Sequence, residues 1–129
     1  SNPKDYRGLI DIPSKIKFLK SRYPDQSRLS SSEEKLIKFL EEEQLYLGYA
    51  NYWDAYRLTF LTHEKFIISP RPGQLLRYKP YDHLVKSSKH SFFLFRINDG
   101  ADQKVLKKIY AMENNSFRYR KFGNKLLIY

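Results

Sequence analysis

The chain alternates between two kinds of apolar spacing, and this alternation organises everything else in it. Leu36, Ile37, Phe39 and Leu40 recur at helical spacing after Ser30-Ser31-Ser32-Glu33-Glu34. There the serines supply caps and the acids suit the positive end of a helix dipole. Glu41 to Glu43 close that helix as a solvated face. Leu45 to Ala50 is a continuous apolar run that predicts a buried strand. Asn51 then caps a second helix, with Asp54 three residues on as a variant of the capping box. That helix carries Trp53, Tyr56 and Phe60 on one face, with Arg57 beside them.

Lys65 to Ser69 predicts the next strand, and Pro70, Pro72 and Gly73 a loop. A short strand over Leu75 to Tyr78 and a short helix over Tyr81 to Ser87, begun after Pro80, follow. Ser91 to Ile97 is the most apolar strand and takes a central place; Asn98-Asp99-Gly100 is a turn. Asp102 to Met112 is a helix burying Val105, Leu106, Ile109 and Met112. Phe117 to Lys121 and Lys125 to Tyr129, around Gly123-Asn124, form a hairpin. Strands interleaved with helices predict a single small α/β domain. Its sheet is mixed and partly parallel, with packed helices and a C-terminal β-hairpin.

That domain spans 29–129. Residues 1–28, with Pro3, Pro13 and Pro24, read as a lead-in or linker, with one short helix over Ile12 to Leu19 limited by Pro24. At 129 residues the chain is long enough to bury a core without staples. It has no cysteine, which excludes disulfides, thiol chemistry and Cys-ligated zinc. Its apolar runs of about five residues fall far short of the ~20 that span a bilayer.

Charge divides the chain. Residues 1–62 hold ten Lys/Arg and nine Asp/Glu, whereas residues 63–129 hold fourteen and five. A basic half beside a balanced one implies an anionic neighbour: nucleic acid, an acidic membrane surface or a phosphorylated lipid. In the hairpin, Arg118 and Arg120 share one strand face and Phe117, Tyr119 and Lys121 the other. Such interleaving suits single-stranded nucleic acid. It equally suits an edge strand with aromatics in the core and arginines in water, and the second reading is favoured.

Candidate chemistry is sparse. His63, His83 and His90 are scattered with no ligand spacing, and there is no nucleophile elbow, Walker loop or dinucleotide-binding glycine pattern. No metal, cofactor or catalytic residue is expected. A stand-alone enzyme would have to gather Asp54, Arg57, Asp82 and His83 in one pocket. The run Gly48 to Phe60 has two readings. Its rings and polar groups suit a sugar-binding surface. It also suits a capped helix that buries Trp53 and pairs Arg57 with Asp54 at i, i+3.

The residues Gly48-Tyr49-Ala50-Asn51-Tyr52-Trp53-Asp54-Ala55-Tyr56-Arg57-Leu58-Thr59-Phe60, then Lys65-Phe66-Ile67-Ile68-Ser69-Pro70, then Arg77-Tyr78-Lys79-Pro80-Tyr81-Asp82, carry a resemblance. In this order they resemble the soluble C-terminal region of bacterial polytopic membrane glycosyltransferases. These are enzymes related to protein O-mannosyltransferases and lipid A aminoarabinose transferase. The likeness covers Leu29 to Tyr129. Lys79 departs from it where a proline is expected, and the loop Arg71 to Gln74 is more basic than the pattern.

The resemblance implies a non-catalytic extracytoplasmic domain of an enzyme that uses a polyprenyl-phosphate sugar, with the catalytic acid outside this chain. Its implied partners are the membrane-embedded part of the same polypeptide and an anionic lipid or the polyprenyl-phosphate sugar. A basic nucleic-acid-binding module is the alternative. Candidate ligand contacts are Asn51, Trp53, Asp54, Tyr56, Arg57, Arg77, Tyr78 and Tyr81. Candidate contacts to an anion or membrane surface are Arg118, Arg120 and Lys121.

Overall fold

A computed structural model describes residues 12–74, 78–112 and 116–129. The order of elements is α1 (Ile12–Arg22), α2 (Ser31–Glu42), β1 (Leu47–Ala50), α3 (Tyr52–Leu61), β2 (Ile67–Pro70), α4 (Lys79–Ser87), β3 (Phe92–Arg96), α5 (Gly100–Tyr110), β4 (Tyr119–Phe122) and β5 (Lys125–Ile128). A single 3-10 turn at Pro24–Gln26 follows α1. The strands form one sheet in the order β2-β1-β3-β5-β4. β1 runs parallel to β2 and β3, while β5 is antiparallel to β3 and to β4. The expected α/β class, central β3 and closing hairpin are all present.

Strand alternation sorts the core into two layers. Phe92, Leu94 and Leu127 face the side covered by α2 and α3, where they meet Leu36, Leu40 and Leu58. Phe95 and Ile128 face α5 and meet Leu106. Ile67 meets Tyr81 and Leu84 of α4. The sheet therefore lies between two helical layers, which lets nearly continuous apolar strands bury both faces. α1 packs outside this frame, against α3, through the buried Leu19.

Local chemistry sets the helix ends. Ser30 and Glu33 form a full capping box: the Ser30 hydroxyl accepts from Glu33 N and the Glu33 carboxylate accepts from Ser30 N. Asn51 Oδ1 accepts from Asp54 N at 2.9 Å, as expected, and the Gln74 side chain takes the free amide of Tyr52 at 2.6 Å. Pro80 lies in the first turn of α4, where its missing N–H costs nothing.

Three expectations need correction. The turn after β3 ends at Asn98, because Asp99 accepts from the amides of Ala101 and Asp102 and starts α5 at Gly100. α5 then ends at Tyr110, so Met112 lies beyond the helix and is exposed rather than buried. Tyr78 is the residue before α4 and not part of a strand, while the rest of the expected strand, 75–77, lies outside the described residues.

One close approach fixes the β1–β3 pairing. A Cβ on Gly48 would stand 2.4 Å from the Phe92 ring, which fills the space a side chain would need. Gly48→Ala is expected to destabilise the fold by about 1–3 kcal/mol through overpacking. Urea unfolding of that variant checks this; an unchanged midpoint would show that the ring moves aside freely.

Candidate functional site

In a sheet of this kind, ligands usually settle at the carboxyl ends of the parallel strands, where successive crossovers leave on opposite sides. Here that place lies beside the end of β1. The chain leaves it through α3 to β2 on one side, and returns through α4 to β3 on the other. Asn51 follows β1, Arg71 follows β2, Arg96 ends β3 and Lys125 begins β5 opposite Arg96. Asp54 and Asp102 reach the same place from the first turns of α3 and α5.

These groups bind one another. Arg96 grips Asp54 with two bonds, Nε to Oδ2 at 2.8 Å and Nη2 to Oδ1 at 2.7 Å. Asn51 Nδ2 donates to Asp54 at 3.1 Å and to Asp102 at 3.4 Å. Asp102 also accepts from Arg71 Nη2 at 2.5 Å and from the backbone amide of Arg96 at 2.7 Å. Lys125 Nζ lies 3.6 Å from Asp54 and 3.8 Å from Glu33. Glu33 in turn holds Arg57 at 2.5 Å. The crevice is closed by its own side chains.

The pairing Arg57–Asp54 expected from helical spacing does not form. Arg57 turns toward the start of α2, where the carbonyls of Gln26 and Arg28 and the Glu33 carboxylate satisfy Nε, Nη2 and Nη1 in turn. Asp54 turns to the sheet and takes the planar fork of Arg96, a better match for a carboxylate than a single contact. The long-range partners win because Asp54 and Arg57 are both buried and each needs several bonds at once.

Burial alone would raise the pKa of Asp54, but hydrogen bonds from Arg96 and the Lys125 charge outweigh it and leave the carboxyl below its ordinary value. Glu33 behaves alike: burial raises, while the Arg57 and Ser30 hydrogen bonds lower, and the result is a lowered pKa. Arg71 is the exception to complete pairing. Its guanidinium lies over the Phe95 ring at 5.0 Å, and its Nη1 has no hydrogen-bond partner among the described residues.

An open concavity lies elsewhere. A groove of about 440 Å3 runs between α1 and α3, lined by Lys15, Phe18 and Leu19 from α1, by Tyr52, Trp53, Tyr56 and Phe60 from α3, and by Tyr78. Arg57 also lines it, with its donors committed as described. Trp53 is half-buried rather than buried. Its ring meets Tyr23 edge-on at 5.7 Å, and Tyr23 meets Phe18 at 6.1 Å. Trp53 Nε1 donates to Gln26 at 3.4 Å. The face predicted for Trp53, Tyr56 and Phe60 is thus real, and α1 turns it into a groove that the sequence did not reveal.

The remaining candidates separate. Tyr81 is fully buried and donates to Glu64 at 2.5 Å; burial first, then Glu64, pushes its hydroxyl pKa far up. Arg77 lies outside the described residues. Arg118, Arg120 and Lys121 are exposed on the hairpin. Phe117 is exposed and Tyr119 half-buried, so the expected sorting of hairpin aromatics into the core fails. The arginines instead lie over rings, Arg118 over Tyr129 at 5.3 Å and Arg120 over Phe39 at 4.5 Å. The four residues of a stand-alone enzyme do not gather: Asp54 holds Arg96, Arg57 holds Glu33, Asp82 holds Lys86, and His83 is exposed. His63 and His90 are also exposed.

Lowered carboxyl pKa values make a stability statement. Asp54 and Glu33 contribute stability above their ordinary values of 3.8 and 4.5, and that contribution is lost as the pH falls below them. Urea midpoints are therefore expected to drop steeply below about pH 4.5. Asp54→Asn is expected to cost about 3 kcal/mol at neutral pH and to flatten that acid limb. A variant with the parent's pH profile would remove Asp54 from the account. In comparisons with known proteins, no family model, curated protein or solved structure matches the chain.

Proposed function

We propose that this chain is a non-catalytic, extracytoplasmic accessory domain of a membrane glycosyltransferase that uses a polyprenyl-phosphate sugar, and that the groove between α1 and α3 receives a sugar ring of its acceptor or lipid-linked donor. The observation that carries the reading is what the run Gly48 to Phe60 does in three dimensions. Its charged members, Asp54 and Arg57, are themselves buried and consumed by ion pairs. Its rings, Tyr52, Trp53, Tyr56 and Phe60, line an open groove. Binding surface without reactive groups is what an accessory domain needs.

The chemistry of the groove supports a sugar in particular. Aromatic faces and edges meet the C–H faces of a pyranose, and hydroxyl and amine groups at the rim meet its oxygens. Tyr52, Tyr78 and Lys15 bring such groups to the lining. Lys15 also gives a cation for a phosphate carried by the sugar. The resemblance of residues 48–82 to the C-terminal region of these transferases supports the wider setting. No helix among the described residues is long and apolar enough to cross a membrane, so the spans of such an enzyme would lie elsewhere in the polypeptide.

Trp53 is the only tryptophan, so its fluorescence reports on the groove directly. Titration with a panel of alkyl hexosides and pentosides is expected to give a saturable change with a Kd on the order of 1 mM. Phe18→Ala, on α1, is expected to weaken binding while leaving the melting temperature nearly unchanged, since Phe18 is half exposed. A flat titration across the panel would remove the sugar from the groove. The accessory role is checked separately: a reading frame upstream of Ser1 that encodes no membrane spans would end it.

A further inference from the structure

The corner where α5 meets the hairpin has a composition unlike the rest of the surface. Residues 103–129 hold seven Lys/Arg and one Asp/Glu. Lys125 is buried in the ion network; the other six cations are exposed, on α5, on β4 and, for Arg118, just before β4. Three large apolar side chains are exposed at the same corner: Tyr110 at 54%, Met112 at 58% and Phe117 at 41%. The end of α5 and the start of the hairpin meet at one point. Tyr110, the last residue of α5, packs on Tyr119 of β4 with ring centroids 5.4 Å apart. Arg118 pairs with Tyr129 through both backbone bonds, which extends the hairpin ladder. Strand alternation then puts Phe117 on the side of Tyr119. Met112 follows Tyr110 by two residues, its amide bonded to Ile109 O at 3.1 Å.

We infer that this corner seats on an anionic lipid bilayer, with Tyr110, Met112 and Phe117 entering the headgroup boundary and the exposed Lys side chains of α5 and β4 meeting lipid phosphates. Exposed apolar groups beside cations of one sign fit such an interface. Each cation near an anionic leaflet adds to the attraction, and long Lys stems let the charge stay at headgroup level while the apolar groups enter. Single-stranded nucleic acid fits less well. Stacking needs open ring faces beside the cations, whereas Arg118 and Arg120 already cover Tyr129, Phe39 and Phe122, and Met112 has no ring to offer.

The inference rests on the accessory-domain reading only for a reason to meet lipid. The experiment reads the corner itself, so its failure leaves the groove and the upstream spans to be judged on their own tests.

The whole chain is sedimented with vesicles of phosphatidylcholine containing about one third phosphatidylglycerol, and with vesicles of phosphatidylcholine alone. Binding to the anionic vesicles is expected at low salt, falling steeply toward about 0.5 M salt, with little binding to the neutral ones. Lys107→Gln with Lys108→Gln is expected to lower partitioning more than tenfold. Met112→Asp with Phe117→Ser is expected to lower it at least about fivefold without removing a cation. All four positions are exposed, and circular dichroism verifies that both variants fold. Absence of binding to the anionic vesicles overturns the inference. So does binding that survives the Met112 and Phe117 substitutions, which would mean charge adhesion without insertion. Tighter binding to a single-stranded oligonucleotide than to the vesicles would reassign the corner to nucleic acid.

Discussion

The structure depends on the ion network around Asp54 and Glu33. Three buried carboxylates, on Glu33, Asp54 and Asp102, meet the cations of Arg57, Arg71, Arg96 and Lys125. Through these contacts α2, α3, α5, β3, β5 and the loop after β2 are tied to one place. Each carboxylate would be costly alone in the interior, and each is offset by several hydrogen bonds. The network adds position more than net stability, since a buried pair stabilises little compared with apolar residues of the same shape. Its geometric demand is strict: Arg96 grips Asp54 only when the end of β3 and the start of α3 hold their mutual distance.

That network also closes the crevice at the end of the sheet. The carboxyl ends of β1 and β3 are the place where this topology ordinarily opens a crevice. Filling them with paired side chains closes that place, and the outer flank of α3 carries an open groove instead. There the aromatic wall of α3 has no sheet to cover it, and α1 covers it only partly. The buried side of α3 is thus structural and its outer side is available. The basic corner of α5 and β4 is a third, separate feature, set on the opposite helical layer at the edge strand.

Local signals carried over well where a few neighbouring residues decide the outcome. Ser30 with Glu33, Asn51 with Asp54, Pro80 and Gly123 set their helix ends and the hairpin turn through bonds or dihedrals within three residues. Signals failed where a longer-range partner competed. Arg57 at i, i+3 from Asp54 had a local partner available, and Glu33 together with the Gln26 and Arg28 carbonyls ahead of α2 won it instead. Met112 kept the helical period of α5, but Tyr110 ended that helix first. Phe117 and Tyr119 alternate like core residues, yet an edge strand gives them only a partial neighbour.

The sequence by itself determined the α/β class, the central place of β3, the hairpin, and the aromatic face of α3, because apolar period and turn chemistry are written in residues close along the chain. Only the tertiary structure decided that Asp54 belongs to Arg96, that Asp102 and Arg71 close the sheet's crevice, and that α1 makes a groove over Trp53. Those outcomes rest on pairs 31 to 42 residues apart in the two Asp–Arg contacts, and on the packing of a helix from the proline-bearing lead-in. Charge and period along the chain do not rank such distant partners. Their choice follows from which groups the folded backbone brings within hydrogen-bond reach once water has been excluded.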